Sequence, residues 1–149
     1  MNIALPYICT GRYNQFFKVF YESFEKYFLP FANKTYFIWT DEEYLADELS
    51  NVQIYHKECS GFPFNSLFRF EMFMQAESEL KKIDYIYFFN ANTECRQIVG
   101  KEILPDESGL AMGRWPGVEM HRPTMSLGYE RNKKSLAYVA PYKPPYRED

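Results

Sequence analysis

The sequence predicts an α/β protein with a mostly parallel sheet that is covered by helices on both faces. Short apolar runs alternate along the 149 residues with longer segments in which apolar residues recur every three or four positions. One run, YIYFF at 85–89, is apolar or aromatic throughout, which suits a strand buried on both faces of a parallel sheet. The length allows one domain with a substantial core.

The N-terminal segment predicts a strand followed by a helix. The apolar run IALPYIC (3–9) is closed by the loop residues Thr10 and Gly11. Residues 12–28 then predict a helix, because aromatic side chains recur at the period of one helical face: Phe16, Phe17, Phe20, Phe24, Tyr27 and Phe28. Pro30 ends this helix, since proline cannot continue it.

Two strands and a polar segment come next. TYFIWTD (35–41) and VQIYH (52–56) are short runs rich in aromatic and β-branched residues, so both are predicted strands. Asp41, Glu42 and Glu43 are predicted to open a short polar helix between them.

A second long helix is predicted at residues 65–83. Its apolar positions on or near one face are Leu67, Phe70, Met74 and Leu80. The helix leads into the strand at 85–89. Further on, GLAMGRW (109–115) is a candidate strand, and residues 137–149 predict a mobile loop because PYKPPYRED contains three prolines and four charged residues.

Charge and hydropathy argue against a nucleic-acid-binding protein and against a membrane-spanning one. The 20 acidic and 17 basic residues give a formal net charge of −3, and no run of five Lys or Arg occurs, so nucleic-acid binding has little support. No apolar run approaches the roughly 18 residues that a membrane span needs. The N-terminus MNIALPYICTGRY has neither a basic leader nor a signal-peptide core, which predicts a cytoplasmic protein.

Cysteine spacing and aromatic content add little chemistry by themselves. Cys9, Cys59 and Cys95 are far apart and form no C-x-x-C pair, which argues against a disulfide framework and a structural zinc site. Aromatic residues make up 19% of the chain, with 13 Tyr and 14 Phe. Such a share suits either a thick aromatic core or a cleft for a ring-shaped ligand, and composition alone favours the core.

Two polar segments are candidates for a binding site. Ligands of parallel α/β sheets bind beyond the carboxyl ends of the strands. CTGRY (9–13) follows the first predicted strand, and Asn90, Ala91 and Asn92 follow the fourth. Both segments therefore satisfy the rule.

Several separated blocks resemble glycosyltransferase family 6, the family of the blood-group A and B transferases and the α-1,3-galactosyltransferases. They occur in the family's order and span nearly the whole chain: YICTGRYNQFFKVFYESFEKYF, YFIWTDE, FRFEM, DYIYFFNANTECRQIVGKEIL and GYERNKKSLAYV. The resemblance implies a GT-A fold, with residues 1–149 forming one nucleotide-sugar-binding domain around a Rossmann-like sheet. It also implies retaining transfer of galactose or GalNAc from a UDP-sugar to the 3-hydroxyl of a galactose-containing oligosaccharide, such as a fucosylated, blood-group-like glycan.

The resemblance assigns the nucleotide-binding residues to the segment after the first strand. Tyr13 matches the family's tyrosine that stacks on uracil, although a tyrosine at a helix start can also pack only on the core. Ile8, Cys9 and Thr10 match the stretch whose backbone N–H and C=O groups read the edge of the uracil ring.

Two residues of the second helix match positions on the donor side. Arg69 matches a family arginine that contacts the donor, and its planar fork of N–H groups suits phosphate or sugar oxygens. An ordinary surface arginine is the alternative. Asn65 matches a further donor-side position.

Asn90, Ala91 and Asn92 stand where vertebrate members carry a metal-binding Asp-x-Asp and bacterial members carry Asn-x-Asn. Mn²⁺ and Mg²⁺ prefer charged oxygen ligands, so two neutral amides predict a protein that needs no divalent metal. The amides gain N–H donors for sugar hydroxyls or phosphate oxygens. An Asn turn that only ends a strand is the alternative. Arg12 and Arg69 are candidates to replace the ion's charge, together with the basic residues of YERNKK and YKPPYR.

The acceptor and catalytic residues are the least defined. Trp115 falls near a family acceptor contact, but a core tryptophan fits equally. The family's proposed catalytic Glu lies further along than Asp149, so no catalytic residue is assigned in this chain, which is expected to be truncated. Three readings stay open: an enzyme that uses UDP-GalNAc or UDP-Gal, a UDP-sugar-binding fragment without turnover, and an unrelated Rossmann-like protein with an aromatic core.

Overall fold

The computed structural model describes residues 1–61, 63–111, 132–135 and 138. The chain divides into two compact units, Met1–Leu104 and Pro105–Asp149. Every strand and helix described below lies in the first unit. In the second unit the described residues include a short turn in which the Ser108 N–H donates to the Asp106 carboxylate over 2.8 Å.

The first unit alternates strands and helices, as the sequence predicts. The strands are β1 (Asn2–Ile8), β2 (Asn33–Thr40), β3 (Val52–His56) and β4 (Tyr85–Ile86). The α-helices are α1 (Phe17–Tyr27), α2 (Phe64–Leu67), α3 (Arg69–Met74) and α4 (Glu77–Leu80). Two 3-10 segments, Gly11–Phe16 and Lys101–Ile103, complete the described elements.

The four strands form one parallel sheet in the order β3-β2-β1-β4. In β1, Ile3 lies opposite Lys34 of β2 on one side and opposite Tyr85 of β4 on the other. The chain therefore adds β2 and β3 on one side of β1 and then returns to place β4 on the other side. This arrangement confirms the predicted α/β class with a parallel sheet.

Helix α1 covers one face of the sheet through an aromatic core. Phe17, Phe20 and Phe24 are buried at 4% exposure or less, and they pack in one cluster with the odd-numbered residues of β1. The Phe20 ring centroid lies 4.3 Å from that of Tyr7 and 4.1 Å from that of Phe24. The aromatic residues thus mostly serve the core, and the predicted apolar face of this helix is confirmed.

Helices α3 and α4 cover the opposite face with Met72, Ala76 and Leu80, which pack in one cluster with residues of β1 and β2. The predicted apolar face was wrong for most of its members: Leu67, Phe70 and Met74 are 67%, 74% and 59% exposed, and only Leu80 is buried. The segment thus contains two sets of apolar residues on different faces. The structure buries the set spaced by four residues, Met72, Ala76 and Leu80, and leaves Leu67, Phe70 and Met74 exposed.

The predicted helix at 65–83 is also interrupted, at Phe68 and at Gln75–Ala76. Phe68 has φ −93° and ψ 15°, which lies outside the helical region. The N–H groups of Gln75 and Ala76 donate to carbonyls only three residues back, at 3.0 Å each. These tightened turns divide one long periodic segment into α2, α3 and α4.

Several other element boundaries differ from the predictions. The helix predicted from residue 12 begins as a 3-10 segment and becomes α-helical only at Phe17. Residues 42–48 after β2 form turns instead of a polar helix, and the strand predicted at 85–89 pairs only over two residues. Residues 109–111 are not a strand, while 112–115 lie outside the described residues, as does 137–149 apart from Tyr138.

Phe20→Ala is expected to lower the free energy of unfolding by about 3–5 kcal/mol, because it removes the ring that joins α1 to β1 and leaves a cavity. Urea denaturation of the two proteins measures the difference. The matched control is Val19→Ala, one position along the same helix but 51% exposed, which should change stability by no more than about 0.5 kcal/mol. Equal effects of the two substitutions would contradict the core described above.

Candidate functional site

A cavity of about 470 Å³ opens at the carboxyl ends of β1 and β4. Its lining comes from four segments: the end of β1 with the turn after it, the loop between β3 and α2, the start of the α2–α3 region, and the segment after β4. The lining residues are Ile8, Thr10, Arg12, Tyr13, Cys59, Gly61, Asn65, Ser66, Arg69, Phe88, Asn90, Ala91 and Asn92. All the predicted donor-binding residues except Cys9 are therefore brought together around one space.

The sheet order explains the position of this cavity. Connections from β1 lead away to β2, whereas β4 joins β1 from the other side. The turns that follow these two neighbouring strands border the point at which the strand order reverses. Parallel α/β sheets bind ligands at such a switch in strand order.

The carboxylate of Asp41 fastens the turn that carries Tyr13. The Gly11 N–H donates to both Asp41 oxygens over 2.9 and 3.0 Å, and Asn14 Nδ2 donates to one of them over 2.8 Å. The Thr40 hydroxyl donates to Asn14 Oδ1 over 2.9 Å. These bonds tie both sides of Tyr13 to the end of β2, and the Tyr13 side chain stays 54% exposed at the cavity.

Gly11 is required in this turn for two reasons. Its φ is +57°, a conformation that side chains strain. A Cβ at this position would also lie 3.0 Å from Cys59 Sγ. The hydrogen bonds from Asn14 and Gly11 hold the pKa of the Asp41 carboxyl below its ordinary value.

Asn65 and Arg69 both line the cavity. Asn65 Nδ2 donates to Thr10 Oγ1 over 2.8 Å, and the Arg69 guanidinium carbon lies 4.1 Å from the centroid of the Phe88 ring. The buried atoms Asn65 Oδ1 and Arg69 Nε nevertheless have no hydrogen-bond partner among the described residues. A buried unpaired polar atom is costly, so a side-chain movement that brings these two atoms to a ligand in the cavity would be favoured.

The turn after β4 is held from the core side. The Thr93 N–H donates to the Asn90 carbonyl over 3.0 Å, and the Tyr7 hydroxyl donates to the Ala91 carbonyl over 2.9 Å. Ala91 is buried, whereas Asn90 and Asn92 are exposed and line the cavity. The described parts of the chain contain no group of three or more His, Cys, Asp or Glu side chains placed to hold a metal ion.

Cys9 lies in the core instead of the cavity. It is fully buried, and burial raises the pKa of its thiol to about 12, so the sulfur remains protonated. Its backbone N–H donates to the Trp39 carbonyl over 3.0 Å, which leaves only its carbonyl for a ligand. Trp115, the candidate acceptor contact, lies outside the described residues.

Sequence reasoning missed four lining residues: Cys59, Gly61, Ser66 and Phe88. Phe88 could have been found from the sequence, because it lies only two positions before Asn90. Cys59 and Gly61 reach the cavity through a loop whose path depends on tertiary contacts, such as the one between Cys59 and Gly11.

A second cavity, of about 680 Å³, is lined by residues of β3 and of the segment that follows β2. Glu43 and Asp47 line it together with His56. Two carboxylates would repel an anionic ligand, so the first cavity is the better site for a phosphate-containing molecule.

Comparison with known proteins agrees with the geometry. Residues 1–143 match the model of glycosyltransferase family 6. The chain belongs to this family. Its parallel sheet with helices on both faces is the Rossmann-like part of the family's GT-A fold, and the reading as an unrelated Rossmann-like protein is excluded.

A curated relative is the O-antigen biosynthesis glycosyltransferase WbnI of Escherichia coli. It is 35% identical over 144 residues, an alignment that covers 93% of this chain and 59% of the relative. The chain thus spans about 59% of the length of that relative. In the part of the chain that the structure describes, none of the helices has the length and apolar composition needed to cross a bilayer.

Asp41→Asn is expected to flatten the dependence of stability on pH. Because the folded-state pKa of Asp41 is depressed, its contribution is complete above the unfolded-state pKa of about 3.9 and is lost as the pH falls through the folded-state value. Urea unfolding between about pH 6 and pH 3 should therefore show a smaller loss of stability in Asp41→Asn than in the wild type. The control, Asp47→Asn, replaces an exposed carboxylate without a side-chain hydrogen bond among the described residues; parallel profiles for all three proteins would contradict the role of Asp41.

Proposed function

We propose that this chain carries the donor-binding site of a retaining, metal-independent glycosyltransferase. The donor is UDP-GalNAc or UDP-galactose, and the acceptor is the 3-hydroxyl of a galactose in an oligosaccharide. One observation carries the proposal: a single cavity at the β1–β4 switch is lined by Tyr13, by Asn65 and Arg69, and by the Asn90 to Asn92 turn. Membership in glycosyltransferase family 6 supports the chemistry.

The segment after β1 suits the uridine. The Asp41 hydrogen bonds hold Gly11 and Asn14, which flank Tyr13 in the chain, and the Tyr13 ring remains exposed, so it offers a flat surface for the base. The backbones of Ile8 and Thr10 line the same wall and can read the uracil edge. A base placed there directs its ribose and diphosphate toward the centre of the cavity.

The opposite walls suit the diphosphate and the sugar. Arg69 Nε is a charged donor and Asn65 Oδ1 an acceptor, and both are buried atoms without a partner among the described residues. Phosphate oxygens satisfy the first atom, and a sugar hydroxyl can satisfy both. Asn90 and Asn92 add amide groups at the same end of the cavity.

A divalent metal does not fit the residues of the Asn90 to Asn92 turn. Their side chains offer only neutral carbonyl oxygens, whereas Mn²⁺ and Mg²⁺ in such sites are held by carboxylates. The nearest acid along the chain, Glu94, pairs with Arg96 over 3.0 Å. The negative charge that develops on the departing UDP is then stabilised by arginines that line the cavity, Arg69 and Arg12.

Binding of a UDP-sugar without turnover is the second candidate function. No Asp or Glu lines the cavity among the described residues, so the described lining supplies no carboxylate for catalysis. Transfer assays on this chain and on a longer family member in parallel separate the two functions. Donor binding without transfer by this chain supports the second.

Transfer by an active protein that contains this site is expected to survive excess EDTA and to gain little from Mn²⁺. The reason is the absence of charged ligands at positions 90 and 92. The measurement is the rate of transfer from UDP-GalNAc and UDP-galactose with EDTA, with Mn²⁺, and with neither. The double substitution Asn90→Asp and Asn92→Asp should slow transfer in EDTA, because two carboxylates then face the diphosphate. Activity that collapses in EDTA and returns with Mn²⁺ would make the amides metal ligands and refute the metal-independent mechanism.

Arg69→Ala is expected to weaken UDP binding by roughly tenfold to hundredfold, because it removes a charge-assisted hydrogen bond to phosphate. Isothermal titration with UDP gives the affinity. The matched control is Arg96→Ala, which removes an arginine that is 82% exposed and lies outside the cavity; it should bind UDP like the wild type. Equal affinities of Arg69→Ala and the wild type would remove Arg69 from the site.

A further inference from the structure

The two strands that flank the cavity stop pairing before they reach it. β1 pairs with β4 at Ile3 and Ala4, and one more backbone bond joins the Tyr87 N–H to the Ala4 carbonyl over 2.9 Å. Beyond Tyr87 the ladder ends, although β1 continues to Ile8 beside β2. The segment that carries Asn90 to Asn92 is thus not positioned by the sheet itself.

One side chain bridges this gap. The Tyr7 hydroxyl donates to the Ala91 carbonyl over 2.9 Å. Among the described residues this is the only hydrogen bond between residues 5–13 and 88–93. The residues on both ends of the bond are buried, with Tyr7 0% and Ala91 7% exposed, so water does not compete for it.

The Tyr7 side chain is itself held firmly. Its ring centroid lies 4.3 Å from that of Phe20 and 5.7 Å from that of Phe17. Burial raises the pKa of Tyr7 far above its usual range, so the hydroxyl keeps its proton and acts as a donor. The ring therefore supplies a fixed O–H group at a set distance from the sheet.

We propose that Tyr7 is a positioning residue for the anion-binding end of the donor cavity. Its hydroxyl keeps the Ala91 carbonyl directed into the core, so that the turn presents the amides of Asn90 and Asn92 to the diphosphate instead of a carbonyl oxygen. The inference rests on the proposed function for the identity of the ligand. It adds a residue that does not line the cavity and that the family resemblance does not assign.

The consequence of losing the hydroxyl is electrostatic as well as structural. Without Tyr7 Oη, the Ala91 carbonyl would be buried and unpaired, which favours rotation of its peptide toward water in the cavity. The negative end of the carbonyl dipole would then face the phosphate oxygens. The uridine wall is held separately, by Asp41 through Gly11 and Asn14, and it should be unaffected.

Tyr7→Phe tests this inference because it removes only the oxygen and keeps the packed ring. The matched control is Tyr36→Phe. Tyr36 is also 0% exposed, and its hydroxyl donates a partly buried hydrogen bond to Glu25 Oε1 over 2.9 Å instead of to the Asn90 turn. Isothermal titration of both variants and the wild type uses two ligands, UDP and uridine. Tyr7→Phe should lose roughly threefold to tenfold in UDP affinity and retain its uridine affinity, whereas Tyr36→Phe should bind both ligands like the wild type.

A second measurement keeps the inference independent of the ligand. Amide hydrogen exchange should become faster at Thr93 in Tyr7→Phe, because the bond from the Thr93 N–H to the Asn90 carbonyl depends on the same turn. Tyr36→Phe should leave exchange at Thr93 unchanged.

Wild-type protein that binds neither UDP nor uridine would overturn the proposed function, and the exchange data would then decide the role of Tyr7. Equal Thr93 exchange in the two variants, or equal losses of UDP and uridine affinity in Tyr7→Phe, would overturn the positioning role.

Discussion

Strand β1 is the element on which the rest of the structure depends. Its two neighbours, β2 and β4, both come later in the chain and lie on opposite sides of it. Its side chains alternate between two cores, with Leu5 and Tyr7 toward α1 and Ala4 toward α3 and α4. Because both faces are filled, the register of β1 is fixed, since a shift by one residue would send each side chain to the other core. The positions of Thr10, Tyr13 and the Ala91 turn all follow from that register.

Aromatic side chains have two roles around β1: they pack the core on the α1 face, and they line the cavity at the carboxyl end of the strand. Toward α1, the rings of Phe20 and Phe24 stack 4.1 Å apart and exclude water. At the carboxyl end, Tyr13 and Phe88 lie at the cavity, where one ring is exposed and the other supports an arginine. Burial distinguishes these uses, because a ring enclosed on all sides contributes only packing, while a ring open on one face can bind a second ring.

The sequence predicted those features that depend on short-range patterns. The strands and the apolar face of α1 could be predicted because their apolar residues follow a single period. The two site segments could be predicted because each directly follows an apolar run. The α3–α4 face could not be predicted in the same way, since Leu67, Phe70 and Met74 form a competing stripe that is as apolar as the buried one. The contribution of Tyr7 was also hidden, because its hydrogen bond spans 84 positions and appears in no local pattern. Asp41 was assigned to the end of a strand and the start of a helix, although its carboxylate closes a turn formed 30 positions earlier.

The central claim is that the β1–β4 cavity binds the donor nucleotide without a divalent metal. A crystal structure of the chain with UDP, grown with Mn²⁺ present, tests it most directly. The account predicts the uracil ring on Tyr13, the diphosphate within hydrogen-bonding distance of Arg69 Nε, and no metal between the diphosphate and the side chains of Asn90 and Asn92. UDP bound in the acidic cavity of Glu43 and Asp47, or a Mn²⁺ ion coordinated by Asn90 and Asn92, would contradict it.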